Sequence, residues 1–328
     1  MDIKKSGLDK QLLLDMYGTM KRARKFDERI NLLNRAGKVG FNISGMGHEA
    51  AEVGCAFAFN TEVDYLAPYY RDLALMMAWG VSFQDLMLSY FGRGEDPSSG
   101  GRQMPAHWGN KDHRVLTTSS PVTTQYLHAV GVAYAAKLAN DPIVVYTATG
   151  DGSSNQGDFH EAINFASVHN LPVIFVIYNN KFAISTGPEL QYHAKHLADR
   201  GLGYGIPGVN VDGLDLVACY KASKEAVDRA RRGEGPTLLE FDVVRFTAHS
   251  TDDDHSIYRD MKKLEEDKKL HDPVILIEQA LLKAKYIDED YIKALEKEIK
   301  KELDQATKYA ENAPFAAPED ALLHVYED

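Results

Sequence analysis

Two short apolar runs rich in β-branched residues constrain this chain more than any other feature. Ile143-Val144-Val145-Tyr146 lies between Pro142 and Gly150, and Val173-Ile174-Phe175-Val176-Ile177-Tyr178 follows it, with a helical pattern from Phe159 to His169 between the two. Runs of this length bounded by turn residues read as strands buried on both faces. Strand, helix and strand within so few residues make a βαβ unit, which needs a parallel sheet covered by helices. The pattern recurs as Gly208-Val209-Asn210-Val211, a helical stretch at about 214–232, and Thr237-Leu238-Leu239-Glu240-Phe241-Asp242-Val243-Val244. The expected fold is α/β, a doubly wound parallel sheet with helices on both faces.

Around this sheet the sequence places helical extensions. Leu8, Leu12, Met16, Met20, Ile30 and Leu33 recur at helical spacing among charged residues, which predicts a long amphipathic helix over about 8–35. The small residues from Glu49 to Ala56 suit a tightly packed second helix, and Gly131 and Ala135 suit close packing of a helix over about 124–139. Residues 92–101 are rich in Gly, Pro and Ser and predict a mobile loop. Beyond Tyr258 the chain turns to Lys, Glu, Asp and Leu, so residues 1–258 form the α/β domain with its N-terminal helix and 259–328 a helical extension of the same domain.

A formal net charge of −11 removes the basic footprint that nucleic acid requires. No apolar run approaches the roughly 20 residues that span a bilayer, so no membrane association is expected. The start, Met1-Asp2-Ile3-Lys4-Lys5, lacks the apolar core of a signal peptide, and Cys55 and Cys219 stand in no paired spacing. A reduced, cytoplasmic setting is the expectation.

The chemistry lies at the strand ends. Gly150-Asp151-Gly152 follows the first strand, and after 26 intervening residues Asn179-Asn180 follows the second. Ligands of open α/β sheets bind at this edge, and neighbouring strand ends bring Asp151 and Asn180 within reach of one ion. A carboxylate and an amide oxygen, joined by a backbone carbonyl and phosphate oxygens, make a hard oxygen site suited to Mg²⁺. Gly150 and Gly152 allow close approach of backbone to phosphate, and the N–H groups of Gly152 and Ser153 point the same way. An Asp-Gly pair alone is an ordinary turn. The paired spacing is what singles it out.

Gly150-Asp151-Gly152 with Asn179-Asn180 resembles the thiamin diphosphate motif, and the likeness runs on through Tyr70-Arg71, Gly101-Arg102-Gln103-Met104-Pro105-x-His107, Ser119-Ser120-Pro121-Val122-Thr123-Thr124-Gln125, Ala183-Ile184-Ser185-Thr186 and His249-Ser250-Thr251. These phrases, in this order over about residues 10–300, are similar to the α subunits of 2-oxo acid dehydrogenases, and the Gly-Arg-Gln-Met-Pro-x-His and Ser-Ser-Pro runs to the branched-chain type.

The resemblance implies Mg²⁺ ligands at Asp151, Asn180 and the carbonyl of Phe182. It implies diphosphate contacts at Tyr70, Arg71, Gly152, Ser153 and His249, with Gly150 beside them. The guanidinium of Arg71 suits phosphate oxygens, while its bland reading is a salt bridge to Asp72 or Asp64. Val122 matches the apolar wedge under the bent cofactor, where the family often has a larger Leu or Ile. Ser120 matches a residue near substrate, or serves as a turn former before Pro121. Ser119, Pro121, Thr124 and Gln125 match a monovalent-cation (K⁺) loop, and equally suit helix capping. His249 and Ser120 are the expected catalytic residues.

The acidic and His-rich loop from His249 to His255 should stay mobile until a ligand orders it, and segments 92–101 and 249–260 should close over the cofactor. Tyr178 stands where some relatives carry a basic phosphate contact. His48, His107, His113, His128 and His160 show no metal spacing and read as structural, with His107 set apart by its motif. Neither G-x-S-x-G nor a P-loop occurs, which removes serine hydrolase and Walker-type readings.

The function implied is decarboxylation of a branched-chain 2-oxo acid on thiamin diphosphate and transfer of the acyl group to the lipoyl arm of an E2 lipoyl acyltransferase. The carboxylate that activates the cofactor would come from an E1 β subunit in an α2β2 assembly. Rival readings are a pyruvate or acetoin dehydrogenase subunit, and a catalytically silent interaction subunit, against which the intact Asp151 and Asn180 speak.

Overall fold

The computed structural model describes residues 3–323. In chain order it comprises α1 (Lys10–Arg35), α2 (Glu49–Ala56), β1 (Tyr65–Ala67), α3 (Leu73–Ala78), α4 (Phe83–Tyr90), α5 (Thr124–Ala139), β2 (Val145–Gly150), α6 (Gly157–Val168), β3 (Val173–Asn179), β4 (Gly208–Asp212), α7 (Leu216–Arg231), β5 (Thr237–Asp242), α8 (Met261–Leu270), α9 (Pro273–Ala284) and α10 (Glu289–Asn312). The strands form one sheet in the order β1-β2-β3-β5-β4, and every pair is parallel.

Alternation along the strands gives each face its own helices. Val173, Phe175 and Ile177 of β3 pack with Val145 and Leu238 under α5 and α6. Ile174, Val176 and Tyr178 pack with Tyr146, Ala148, Leu239 and Phe241 under α2 and α7. Every residue of β2 and β3 is buried, which is why neither run alternates polar with apolar in the sequence. The doubly wound α/β reading therefore holds.

Three features differ from expectation. β1 was invisible because only three residues pair, and α3 and α4 were not read, although Ser82 and Asp85 form a capping box at the start of α4. Gly131 does not serve close packing: a Cβ there would meet nothing within 4 Å, and Ala135 is exposed with it. Residues 92–101 are held rather than loose. Asp96 accepts from Ser98 N, Ser99 N, Ser99 Oγ and Gly101 N, Gly94 N donates to Pro314 O, and Arg93 lies over the Phe315 ring at 4.1 Å.

The helices beyond 259 pack back on the N-terminal ones. α10 lies against α4 and α1. Arg24 of α1 joins Glu49 of α2 to Asp272, which also caps α9.

Candidate active site

Gly150 ends β2 opposite Tyr178 in β3, so Asp151 and Asn180 leave the sheet side by side at its carboxyl edge. They are 1% and 5% exposed and line one cavity of about 400 Å³. Asp151 Oδ2 accepts from Gln191 Nε2 at 2.9 Å, and the same amide donates to Thr186 O at 2.8 Å. Burial raises the pKa of Asp151, and the Gln191 bond and the Lys181 and Arg245 charges pull it back. Asn180 Oδ1 accepts from Phe182 N at 3.2 Å. Gln191 was not read from the sequence, because nothing local ties it to a carboxylate 40 residues earlier. Among the described residues no three His, Cys, Asp or Glu cluster as metal ligands. Asp151 and Asn180 thus offer a cation part of an oxygen shell, and ligand oxygens must complete it.

The two glycines have a further reason to be glycines. A Cβ on Gly152 would sit 2.4 Å from Ala183 Cβ, and one on Gly150 would sit 2.8 Å from the Tyr69 hydroxyl. Gly152 therefore lets the turn after β3 press onto the turn after β2. That second turn holds Lys181 and Ile184 at φ of 67° and 57°, left-handed values that non-glycine residues keep only where surroundings enforce them. Phe182, Ala183 and Ile184 line the cavity there, with Ser153 facing them.

Arg71 supplies the electrostatics. Its side chain is 1% exposed, Nη1 donates to Ser44 O at 2.6 Å, Nη2 donates to His249 O at 3.3 Å, and Nε is buried with no partner. The salt-bridge reading fails. Asp64 pairs with Arg231, and Asp72 accepts from Tyr69 N. Arg245 is buried to the same degree, donates to Ile184 O and Tyr258 Oη, and leaves Nε and Nη1 unpartnered. Two buried guanidiniums that form no salt bridge among the described residues are costly unless an anion meets them. The wall formed by Arg71, Ser153 and Gly152 therefore fits an anionic group beside the partial cation shell, as a metal diphosphate would require.

Tyr70 lines the cavity, and its hydroxyl shares a 2.5 Å hydrogen bond with that of Tyr69. His249 lies across from it, with its backbone N donating to Asp253 Oδ2 at 2.7 Å. Burial, then the charges of Arg71 and Arg245, push the His249 pKa down to about 4, so the ring is neutral at pH 7. The loop around it is pinned by Thr251 N to Asn42 O at 3.0 Å and Asn42 N to Thr251 Oγ1 at 3.1 Å.

At the other end Ser120 and Val122 line the cavity with Met104, Phe41 and Ile43. Ser120 Oγ shares a 2.6 Å hydrogen bond with His107 Nε2, so His107 belongs to the site instead of the structural class. Ser119 Oγ meets Thr124 Oγ1 at 3.2 Å, and Thr124 Oγ1 donates to Pro121 O at 2.9 Å. Gln125 turns inward and donates to Ala148 O. Thr123, at the start of α5, is left-handed and its side chain caps nothing, so capping does not account for this turn. Tyr178 lies on the opposite side of the sheet, bonded to the Tyr146 hydroxyl at 2.7 Å, and makes no wall of the cavity. No residue of 92–101 lines it either.

The family described as the dehydrogenase E1 component matches residues 17–319. The chain is 51% identical over 320 residues to the 2-oxoisovalerate dehydrogenase subunit alpha of Bacillus subtilis, covering 98% of this chain and 97% of that one. It is 36% identical to the mitochondrial 2-oxoisovalerate dehydrogenase subunit alpha of Homo sapiens over 98% of this chain and 72% of the other. It is also 36% identical to the pyruvate dehydrogenase E1 component subunit alpha of Staphylococcus aureus, over 98% and 84%.

Proposed function

The chain belongs to the dehydrogenase E1 component family, a thiamin-diphosphate-dependent family of oxidoreductases of the 2-oxo acid dehydrogenase type, and we propose that it is the α subunit of a branched-chain member. The observation that carries the site is Arg71, a buried cation that makes no salt bridge among the described residues, on the wall that also holds Asp151 and Asn180. The preference for a branched-chain over a pyruvate substrate is supported by 51% identity to the Bacillus subtilis 2-oxoisovalerate subunit against 36% to the Staphylococcus aureus pyruvate subunit.

In this reading Asp151, Asn180 and the carbonyl of Phe182 hold Mg²⁺. Arg71, Tyr70, His249 and the N–H groups of Gly152 and Ser153 hold the diphosphate of thiamin diphosphate, with Gly150 beside them. The chemistry this cofactor supplies when bound is an electron sink for loss of CO₂ from a 2-oxo acid. Val122 presents an apolar surface under it. Ser120 and His107, sharing a hydrogen bond at the mouth, are placed to meet a polar group of the substrate. His249, neutral at pH 7, can accept a hydrogen bond at its ring, while the charges of Arg71 and Arg245 oppose its taking up a proton. The oxygens of Ser119, Pro121 and Thr124 are the candidate K⁺ ligands.

Among the described residues no carboxylate but Asp151 lines the cavity. In this reading the acid that activates the aminopyrimidine comes from a β subunit in an α2β2 assembly, with an E2 lipoyl acyltransferase as the acyl acceptor. Cytoplasmic residence accords with two free, buried cysteines, and among the described residues no helix is long and apolar enough to cross a membrane.

Calorimetry of the chain copurified with its β subunit should show Mg²⁺-dependent thiamin diphosphate binding that Asp151→Ala abolishes. Turnover should be faster on 3-methyl-2-oxobutanoate than on pyruvate. Unchanged affinity in Asp151→Ala would overturn the site, and preference for pyruvate would overturn the branched-chain assignment alone.

A further inference from the structure

A carboxylate in the middle of a long helix, buried and outside the lining of the cavity, needs a reason. Asp27 sits within α1 at 2% exposure, so it caps neither end of its own helix. Its Oδ2 accepts from Ser44 Oγ at 2.8 Å and Gly45 N at 2.8 Å, and its Oδ1 accepts from Asn42 Nδ2 at 3.0 Å and Asn31 Nδ2 at 3.4 Å. Burial pushes its pKa above the usual carboxylate range, and the bonds from Ser44, Asn42 and Gly45 pull it back. Three of these four donors lie on one irregular segment, residues 42–45.

That segment is the outer wall of the cofactor site. Ser44 O is the shortest anchor of Arg71, at 2.6 Å. Ile43 and Phe41 line the cavity. Asn42 exchanges two hydrogen bonds with Thr251, two residues after His249: its O accepts from Thr251 N, and its N donates to Thr251 Oγ1. Having no strand or helix to satisfy its backbone, the segment depends on outside partners to hold one conformation.

Resting on the functional reading above, we propose that Asp27 is a positioning residue. From inside α1 it fixes segment 42–45, and through it sets both the guanidinium of Arg71 and the loop that carries His249. The carboxyl directs the segment at two points, Oδ1 and Oδ2 each accepting two hydrogen bonds. An amide of the same size has one acceptor oxygen and turns its NH₂ against the remaining donors.

The test uses Asp27→Asn in the assembled enzyme with its β subunit. Two readouts are taken: the thiamin diphosphate dissociation constant at saturating Mg²⁺, and the rate of tryptic cleavage at Arg259 without cofactor. Arg259 is protected by donating to Arg245 O and Thr247 O in the His249 loop. Asp27→Asn should weaken cofactor affinity at least tenfold and speed cleavage at least fivefold.

Tyr90→Phe is the control, since the Tyr90 hydroxyl donates to Asn42 Oδ1 from the same core but leaves Ser44 and Gly45 held. It should lower Tm while leaving both readouts within twofold of wild type. Equal Tm losses in the two variants with both readouts unchanged in Asp27→Asn would reduce Asp27 to a structural role.

Should Asp27→Asn fail to assemble, Ser44→Ala removes one of the four partners and should move both readouts in the same direction by a smaller factor. No movement would overturn the proposal. A wild-type enzyme that binds no thiamin diphosphate would overturn the functional reading, while the cleavage rate, measured without cofactor, still judges Asp27.

Discussion

Replacing Arg71 by Met should move stability and cofactor affinity in different ways, because the cation is buried before any ligand arrives. In the ligand-free chain the substitution loses hydrogen bonds to Ser44 O and His249 O. Bonds to a charged group contribute about 1.5–3 kcal/mol each. Against this stands relief of the desolvation penalty of an unpaired ion, which is several kcal/mol in real proteins. The two nearly cancel, so Tm of the ligand-free enzyme should change by no more than a few degrees, the shift expected of about 1–2 kcal/mol.

Binding has no such compensation. Loss of a two-pronged contact to phosphate oxygens removes about 3–6 kcal/mol, or roughly a 10²- to 10⁴-fold rise in Kd at 1.4 kcal/mol per tenfold. The assay pairs calorimetric titration of thiamin diphosphate and Mg²⁺ with thermal unfolding of the ligand-free enzyme. A Kd within threefold of wild type would refute the reasoning, as would a ligand-free enzyme that no longer folds, since Arg71 would then be a structural cation.

Further expectations follow from particular contacts. Gly152→Ala places a Cβ 2.4 Å from Ala183 Cβ, so it should destabilise by about 1–3 kcal/mol as overpacking does, read as a lower Tm even without cofactor. The folded pKa of His249, about 4, lies below its ordinary 6.5, so the unfolded chain takes up a proton first as pH falls. That group costs stability progressively from about pH 6.5 down to about pH 4 and not above it, and His249→Gln should flatten the denaturation midpoint over this window if the linkage is right. Gly131→Ala, in α5 with nothing within 4 Å, should stabilise the chain by about 0.5–1 kcal/mol in chemical denaturation; a loss there would mean the position is packed after all.

Much of the site was legible because its signals are local. The strand ends carry Gly150-Asp151-Gly152 and Asn179-Asn180, and periodicity alone says that they lie at the same edge of a parallel sheet. Tyr70, Arg71, Ser120, Val122, Phe182 and His249 were named through the resemblance, and all line the cavity. Gly131 misled, because a small residue in a helix says that close approach is permitted and not that anything approaches. The loop at 92–101 misled likewise: breaker residues mark irregular backbone, while its motion depends on Asp96 and the partners at Pro314 and Phe315, which the local pattern cannot show.

By itself the sequence determined the layer order of the sheet, the edge where the chemistry sits and the residue types offered there, because strand periodicity and turn chemistry act over a few residues. Only the tertiary structure decided that Arg71 makes no salt bridge among the described residues, that Gln191 steadies Asp151, that His107 joins Ser120 and that Asp27 of α1 bonds to Asn42, Ser44 and Gly45. Each of those is a contact between groups distant in sequence, or a burial. Both are properties of how whole elements pack, and no local pattern encodes them.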